Sequence, residues 1–308
     1  MLFRSDQCTK CINNGTVTAN SVKGSAIAVG LSGCGKDSVN TGNVTSQIQQ
    51  GSVVAQGVVN SDQSRNEASV SGTYQGTDDV AGSVSVQGLG NCTSSVNTGF
   101  LSAKVIKSTT SATVTGISGG SQCENLGRVE ARNQSGQANA RGVMANNCIN
   151  RGAVFAHSSS TEVNESSNAT AYGIGGSYSD SHNYGDITAI SKSSRAYAYG
   201  YGSGSGCTST GLVSATSQYF WQRPKPGGGS EGGLGSAYAV NSNMTQATVG
   251  GYTISAAGDE RVNMYYFLAG CSKHKGEERR FVSFEPGTVS IDGCYVPAGY
   301  AYAVSSGN

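Results

Sequence analysis

The chain has 308 residues, a formal net charge of +1 and 13% charged residues, with 45 glycines and only 4 prolines. About half the usual charge with about twice the usual glycine suits neither a highly charged disordered tail nor a proline-rich collagen, and near-neutrality argues against nucleic-acid binding, which needs a basic stripe. No run of 18 apolar residues occurs, so no membrane-spanning helix is expected.

The opening stretch Met1-Leu2-Phe3-Arg4-Ser5-Asp6 does not read as a signal peptide. The cysteines and sequons below nevertheless point to an extracellular or cell-surface location, with an export leader not present in this chain. From Cys11 onward two motifs alternate. The first is C-x-N-x-G-x-V-x-A, met as Cys11-Ile12-Asn13-Asn14-Gly15-Thr16-Val17-Thr18-Ala19. It returns as Asn40-Thr41-Gly42-Asn43-Val44, Asn97-Thr98-Gly99, Cys123 to Ala131, Cys148 to Ala156, Asn183 to Ala189 and Cys207 to Ala215. The second is A-x-G-φ, with φ apolar: Ala28-Val29-Gly30-Leu31, Ala55-Gln56-Gly57-Val58, Val86-Gln87-Gly88-Leu89, Val114-Thr115-Gly116-Ile117, Ala140-Arg141-Gly142-Val143, Ala171-Tyr172-Gly173-Ile174 and Ala198-Tyr199-Gly200-Tyr201. Successive glycines of this set lie 26 to 31 residues apart.

Alternating apolar positions in G-x-V-x-A put one face of a strand inward. The preceding Asn-x-Gly is turn chemistry, since both residue types tolerate positive φ. A unit of about 28 residues with two strands and two turns cannot bury its apolar face alone, so neighbours must stack. A propeller blade is longer, and a leucine-rich or helical repeat would show a different composition. The expected fold is therefore all-β: a parallel β-helix, or β-solenoid, with coils of about 28 residues. Eight to ten coils would form a thin rod on the order of 40–50 Å long at about 4.8 Å per coil.

Residues 1–250 are expected to form the repeats, with a loop insertion near 217–235. That loop holds the only Trp, and Phe220 and Trp221 are contact candidates because exposed aromatic anchors favour interfaces. Residues 251–308 read as irregular terminal coils with a charged insertion at 273–280. Cys123 and Cys148 fall in consecutive coils, near enough either for a disulfide or for a ladder of buried thiols. Cys271 and Cys294 could close the C-terminal segment. Cys8-Thr9-Lys10-Cys11 lacks the second pair that a zinc site needs. Glycosylation candidates are the sequons at Asn14, Asn43, Asn91, Asn133, Asn164, Asn168 and Asn243.

The Gly-φ-x-Gly element (Gly116-Ile117-Ser118-Gly119) and the N-x-G-x-V-x-A element (Asn150 to Ala156) resemble the glycine-rich surface repeats of the GLUG type, over roughly residues 8–245. The resemblance implies cell-surface adhesins and extracellular fibres and carries no catalytic residues to transfer. The chain departs from that pattern by placing Cys four residues before the turn Gly.

Enzymatic use of a β-helix needs several acids on one strand face, and the acids here are scattered, with few tight pairs such as Asp78-Asp79 and Glu277-Glu278. His157, His182 and His274 share no repeat phase. No nucleophile-elbow or zincin motif is present, and no cofactor is expected. An ice-binding face would need threonines in register, and Arg128 and Asp186 interrupt the phase of Thr16, Thr18, Thr45 and Thr188. The expected function is an extracellular structural or adhesive element. Its expected partners are copies of itself, stacked head to tail into a filament, or surface and matrix glycans. The alternative is a polysaccharide-binding or polysaccharide-cleaving β-helix of lyase, hydrolase or tailspike type.

Overall fold

A computed structural model describes residues 9–76, 82–159, 167–192 and 194–217, then eight strand segments between 223 and 305. The described residues contain strands and turns and no helix, so none is long and apolar enough to cross a membrane.

Each coil has three stretches of strand. In the first coil a short corner strand, Ile12–Asn13, leads into Val17–Ser32, one long strand bent back on itself at Gly24. From the third coil on, the bend separates this strand into two faces, as in Val70–Tyr74 and Ser83–Thr93, or Leu101–Val105 and Ser111–Ser121. Every pairing between coils up to Ser217 is parallel and close to perfect register, for example Val17↔Val44, Val44↔Val70 and Val70↔Leu101. The corner strands align Asn13, Asn40, Asn66, Asn97, Asn125, Asn150, Asn183 and Ser209. The eight aligned coils are separated by about seven turns of about 28 residues, the lower end of the eight to ten coils expected. Relaxed motif copies beyond Ser217 suggested further coils, but much of that region is antiparallel, as described below. Seven steps of about 4.8 Å span about 34 Å.

The interior is divided into two apolar compartments. The larger lies between the two faces and is lined by one column of Val, Leu or Ile (Val44, Val70, Leu101, Val129, Val154, Ile187) and by columns of alanine such as Ala140, Ala171 and Ala198. Small residues let the faces approach closely. Where Val53, Val84 and Val86 enter, the opposite position is Gly72, whose Cβ would lie 2.9–3.0 Å from their methyls. The smaller compartment, at the corner, holds Leu31, Val58, Leu89, Ile117 and Val143 with the cysteines.

A ladder of asparagines separates the two compartments. Asn40, Asn66, Asn97, Asn125, Asn150 and Asn183 are each 0% exposed. Each amide nitrogen donates to the amide oxygen of the next coil at 2.6–2.7 Å, from Asn13 through Asn150. From Asn66 onward, the second N–H goes to the carbonyl two residues on, as from Asn125 to Gly127 at 2.9 Å. A fully satisfied polar row of this kind carries no desolvation penalty and fixes register, because a slip would orphan every amide. These asparagines were expected as turn residues with positive φ, yet none of them, nor the glycines two residues later, adopts it. The positive φ values fall instead on corner residues such as Asp37, Asn60, Gln63 and Asn147.

The two sequence motifs prove to be two sides of one contact. A Cβ on Gly116 would stand 2.8 Å from Cγ of Asn125 and 2.4 Å from the carbonyl oxygen of Gly142 in the next coil. Each such glycine is pressed against the ladder residue that opens the next coil, Gly30 against Asn40 through Gly200 against Ser209. The turn glycine is required for a different reason: a Cβ on Gly127 would lie 2.0 Å from the Gly99 oxygen of the coil before it.

Gly235–Ser242 continues the second face in register with Ala196–Ser203, and Met244–Val249 lies parallel to Leu212–Ser217. Beyond that the pairing reverses. Tyr252–Ala257 runs antiparallel to Met244–Val249, and Arg261–Phe267 runs antiparallel to both Arg279–Ser283 and Pro297–Ser305. Pro297–Ser305 also pairs in parallel with Gly235–Ser242, adding one more rung to that face.

Candidate functional site

With the interior closed, any ligand must meet the outward columns. On the first face these columns are plain in the first three coils: Thr18, Thr45 and Ser71 in one, Asn20, Gln47 and Thr73 in the next. From the fourth coil they change character. The same two columns continue as Ser102, Glu130, Phe155, Thr188 and as Lys104, Arg132, His157, Ile190. One position earlier, where successive carbonyls accept the ladder bonds, stand Phe100, Arg128, Ala153 and Asp186. At the adjoining corner, Leu126, Arg151 and Tyr184 succeed one another.

These side chains form a connected cluster. Glu130 is 6% exposed and lies beneath two half-exposed guanidiniums, with Arg128 Nη2 at 2.8 Å from Oε2 and Arg132 Nε on Oε1. Both guanidiniums pack against the Phe155 ring, 5.6 and 5.5 Å from its centroid. His157 tilts against the same ring at 6.0 Å. Half-buried, it is held below its ordinary pKa, by burial first and then by Arg132 and, among others, Lys192. Arg151 lies 4.7 Å over Tyr184 and donates from Nε to Glu124 at 2.6 Å. Phe100, Leu126 and Tyr184 are among the exposed large apolar side chains. Arginine, tyrosine and phenylalanine together are the composition of a binding surface rather than of a solvated sheet face.

A second outward feature lies on the other face. Tyr172 stacks on Tyr199 at 4.6 Å, and Tyr197 on Tyr238 at 5.0 Å, with planes within 18°. Burial and the neighbouring phenols push Tyr199 up to about 12, and burial raises Tyr172. Tyr238 is in register with Tyr302, so this ladder runs toward the terminal rung.

The expected residues are placed as follows. Cys123 and Cys148 occupy adjacent rungs two residues before the asparagine ladder, alongside Ser38, Ser64, Ser95 and Ser181. They are free thiols, not a disulfide. In-register side chains project in parallel at the rung spacing, whereas a disulfide needs its Cβ atoms drawn to about 3.8 Å. Instead the Cys123 N–H donates to Cys148 Sγ at 3.3 Å, as the Cys148 N–H does to Ser181 Oγ at 3.1 Å. The Cys148 thiol is pushed up by its hydrogen bond to Cys123 and by burial, and burial raises Cys92 to about 11. Cys8, Cys271, Cys294, Phe220, Trp221, Asn164 and Asn243 lie outside the described residues, as do Asp78, Asp79, His274, Glu277 and Glu278.

Among the sequons, Asn14, Asn43 and Asn91 are exposed on corners. Asn168 is half-buried, its oxygen accepting from Ser194 Oγ and the Arg195 N–H. Asn133 is a correction. It is 1% exposed, its amide donates to the carbonyls of Thr110 and Gln137, and its oxygen accepts from the N–H groups of Ser135 and Gly136. A side chain tying a bend together from inside cannot carry a glycan.

The arginine–aromatic cluster was not anticipated from the sequence, where Arg128 and Asp186 counted only as breaks in a threonine phase. The signal was present in the strand copies Val129-Glu130-Ala131-Arg132 and Val154-Phe155-Ala156-His157, whose even positions carry what Ser and Thr carry elsewhere. Among the described residues no group of three or more His, Cys, Asp or Glu is arranged to hold a metal ion. No family model, curated protein or solved structure matches the chain.

Proposed function

We propose that this chain is an extracellular adhesive rod: a stiff β-solenoid that presents side chains in register on its surface and binds through them. The observation that carries this is the change in the two outward columns over coils four to six, from Ser, Thr, Asn and Gln to Lys104, Glu130, Arg132, Phe155 and His157, on a backbone that does not change. Nothing inside a coil requires that change, because the inward ladder is the same on both sides of it. The exposed corner sequons Asn14, Asn43 and Asn91 sit where glycans on a secreted protein would be tolerated.

A filament of stacked copies is the second form of this reading. It draws on the edge of Val17–Ser32 that faces away from the second coil, which has no partner strand among the described residues. The antiparallel strands at the opposite end favour adhesion over filament growth, because a second copy stacked there could not extend an unbroken parallel ladder. The test is to couple the chain to latex beads and measure their retention under flow on films of extracellular matrix material, with negative-stain microscopy of the free protein alongside. Retention well above that of albumin-coated beads is expected. Retention no better than albumin, together with an absence of filaments, would overturn the structural and adhesive reading altogether.

A further inference from the structure

Resting on that adhesive reading, we infer that the cluster of Arg128, Arg132, Arg151, Phe155 and Tyr184 on coils five to seven docks an anionic polysaccharide, one bearing carboxylate or sulfate groups. The charge at the surface is positive although the local sum is modest. Glu130 is buried beneath the guanidiniums it pairs with, so one carboxylate serves two arginines and the outer layer is cationic. Lys104 extends that layer by one coil, in register with Arg132. Glu124, about a third exposed, pairs with Arg151, and Asp186 is a further exposed acid at the margin, its Oδ1 engaged by the Leu212 N–H at 3.0 Å.

The arginines are also pre-positioned. Arg132 and Arg151 each bond their own glutamate through Nε alone, not through the paired fork. The fork is the part that matches a carboxylate or sulfate, and at about half exposure it is left for an incoming group. Aromatic rings lie beneath the guanidiniums, at 4.7 Å for Arg151 on Tyr184 and 5.5 Å for Arg132 on Phe155. Glu130 and Glu124 show that these guanidiniums accept carboxylates in this setting.

The shape of the surface selects a polysaccharide over a peptide. Peptides dock by adding a strand to a free edge, by laying a helix in a groove, in an aromatic-lined polyproline groove, or by presenting acidic side chains to an arginine cluster, the mode for which polyglutamate serves as competitor below. Here the first-face strands of coils four to seven have neighbours on both sides, so every backbone edge is taken. A chain of sugar rings needs no edge. It needs cations for its anionic groups and apolar surface for its ring faces, and Phe100, Leu126 and Tyr184 offer exposed apolar surface beside the arginines.

The test is affinity electrophoresis of the full chain in native gels containing polygalacturonate, dextran sulfate or neutral dextran, with polyglutamate and oligo-dT as competitors. Retardation by polygalacturonate or dextran sulfate but not dextran is expected, and which of the two acts more strongly identifies the anionic group. The Arg132→Gln/Arg151→Gln variant, which leaves Arg128 to pair with Glu130, should weaken retardation at least tenfold. Lys23→Gln, a cation on the first coil, should leave it unchanged, and circular dichroism should show all three proteins equally folded. Arg132→Lys/Arg151→Lys, which keeps the charge but loses the fork, should fall between. The inference is overturned if neither anionic polysaccharide retards the chain, if Lys23→Gln weakens binding as much as the double arginine variant, or if polyglutamate or oligo-dT outcompetes the polysaccharides. Wild-type beads that still adhere to matrix while both arginine variants adhere equally well would sink this site and leave the adhesive reading standing.

Discussion

Replacing Asn125 with alanine should be the most damaging small truncation in the rod. Its amide donates to Asn150 Oδ1 at 2.7 Å and to the Gly127 carbonyl at 2.9 Å, and its oxygen accepts from Asn97 at 2.7 Å. All three asparagines are 0% exposed, so no water can take its place without a cavity opening. The truncation leaves the Asn150 oxygen, the Gly127 carbonyl and one Asn97 N–H without these partners, at about 1–3 kcal/mol for each that stays unpaired. Adding the void between two compartments, the cost should be about 3–5 kcal/mol, a large fraction of an ordinary domain's stability. Asn13→Ala at the half-buried end of the ladder removes the donor to Asn40 and the acceptor for the Gly15 N–H, with water close by, and should cost about 1 kcal/mol. Coils in a solenoid open locally, so urea unfolding should be paired with hydrogen exchange at the amides of residues 97–150. Asn125→Asp adds a control. At neutral pH the carboxylate has no proton to offer Asn150, so the variant should be weaker than alanine and should recover as acid protonates it. If Asn125→Ala costs no more than Asn13→Ala, the ladder does not hold register and the account given above is wrong.

Gly127→Ala should disrupt the stack while Gly15→Ala, at the same motif position, should be tolerated. The first Cβ would lie 2.0 Å from the Gly99 oxygen and the second only 3.8 Å from an Asn13 side chain, so equal melting temperatures would refute the stacking explanation. Cys92 offers a pH prediction. Its thiol ionises from about 11 when folded against 9.0 when exposed, so the folded state holds its proton longer and stability falls as pH rises from 9 to 11. Denaturation midpoints of Cys92→Ser should drop less across that window than those of the parent; an equal drop would mean the thiol is not buried. Sedimentation of the concentrated chain should show discrete particles. Filaments there would reverse the preference for adhesion.

Much of the fold was legible because a stack repeats its demands. Each coil presents the same close approach at Gly116, Gly142 and Gly173 and the same buried amide at Asn125, Asn150 and Asn183, so the residues recur at the coil period. The meaning of the recurrence was not legible. Asn-x-Gly reads as a turn because local chemistry is what a single sequence displays, and the contact that decides it lies one whole coil away. The same blindness affected Cys123 and Cys148: the period brought them together, but side-chain direction within a parallel stack forbids the bond. Where the coils end was harder to read, because the motif still shows in Ala237-Tyr238-Ala239-Val240 and Ala301-Tyr302-Ala303-Val304, where parallel rungs meet antiparallel pairing.

The arginine–aromatic cluster was invisible for the opposite reason: a site that departs from the repeat has no period to announce it. That departure is also what separates binding from folding. The ladders, glycines and alanine columns hold each coil whatever faces outward, and coils with Thr45 and Gln47 stack as regularly as those with Phe155 and His157. Exposed ion pairs such as Arg151 with Glu124 contribute about 1 kcal/mol or less, and an exposed guanidinium on an aromatic ring about 0.5–1 kcal/mol. Exchanging Arg132 and Arg151 together should therefore lower the melting temperature by only a few degrees while removing two of the four outward cations, Arg128, Arg132, Arg151 and Lys104. A loss of folding on that scale with no loss of polysaccharide binding would mean that these side chains brace the coils. A loss of binding with the fold intact would mean that the rod exists to hold them in place.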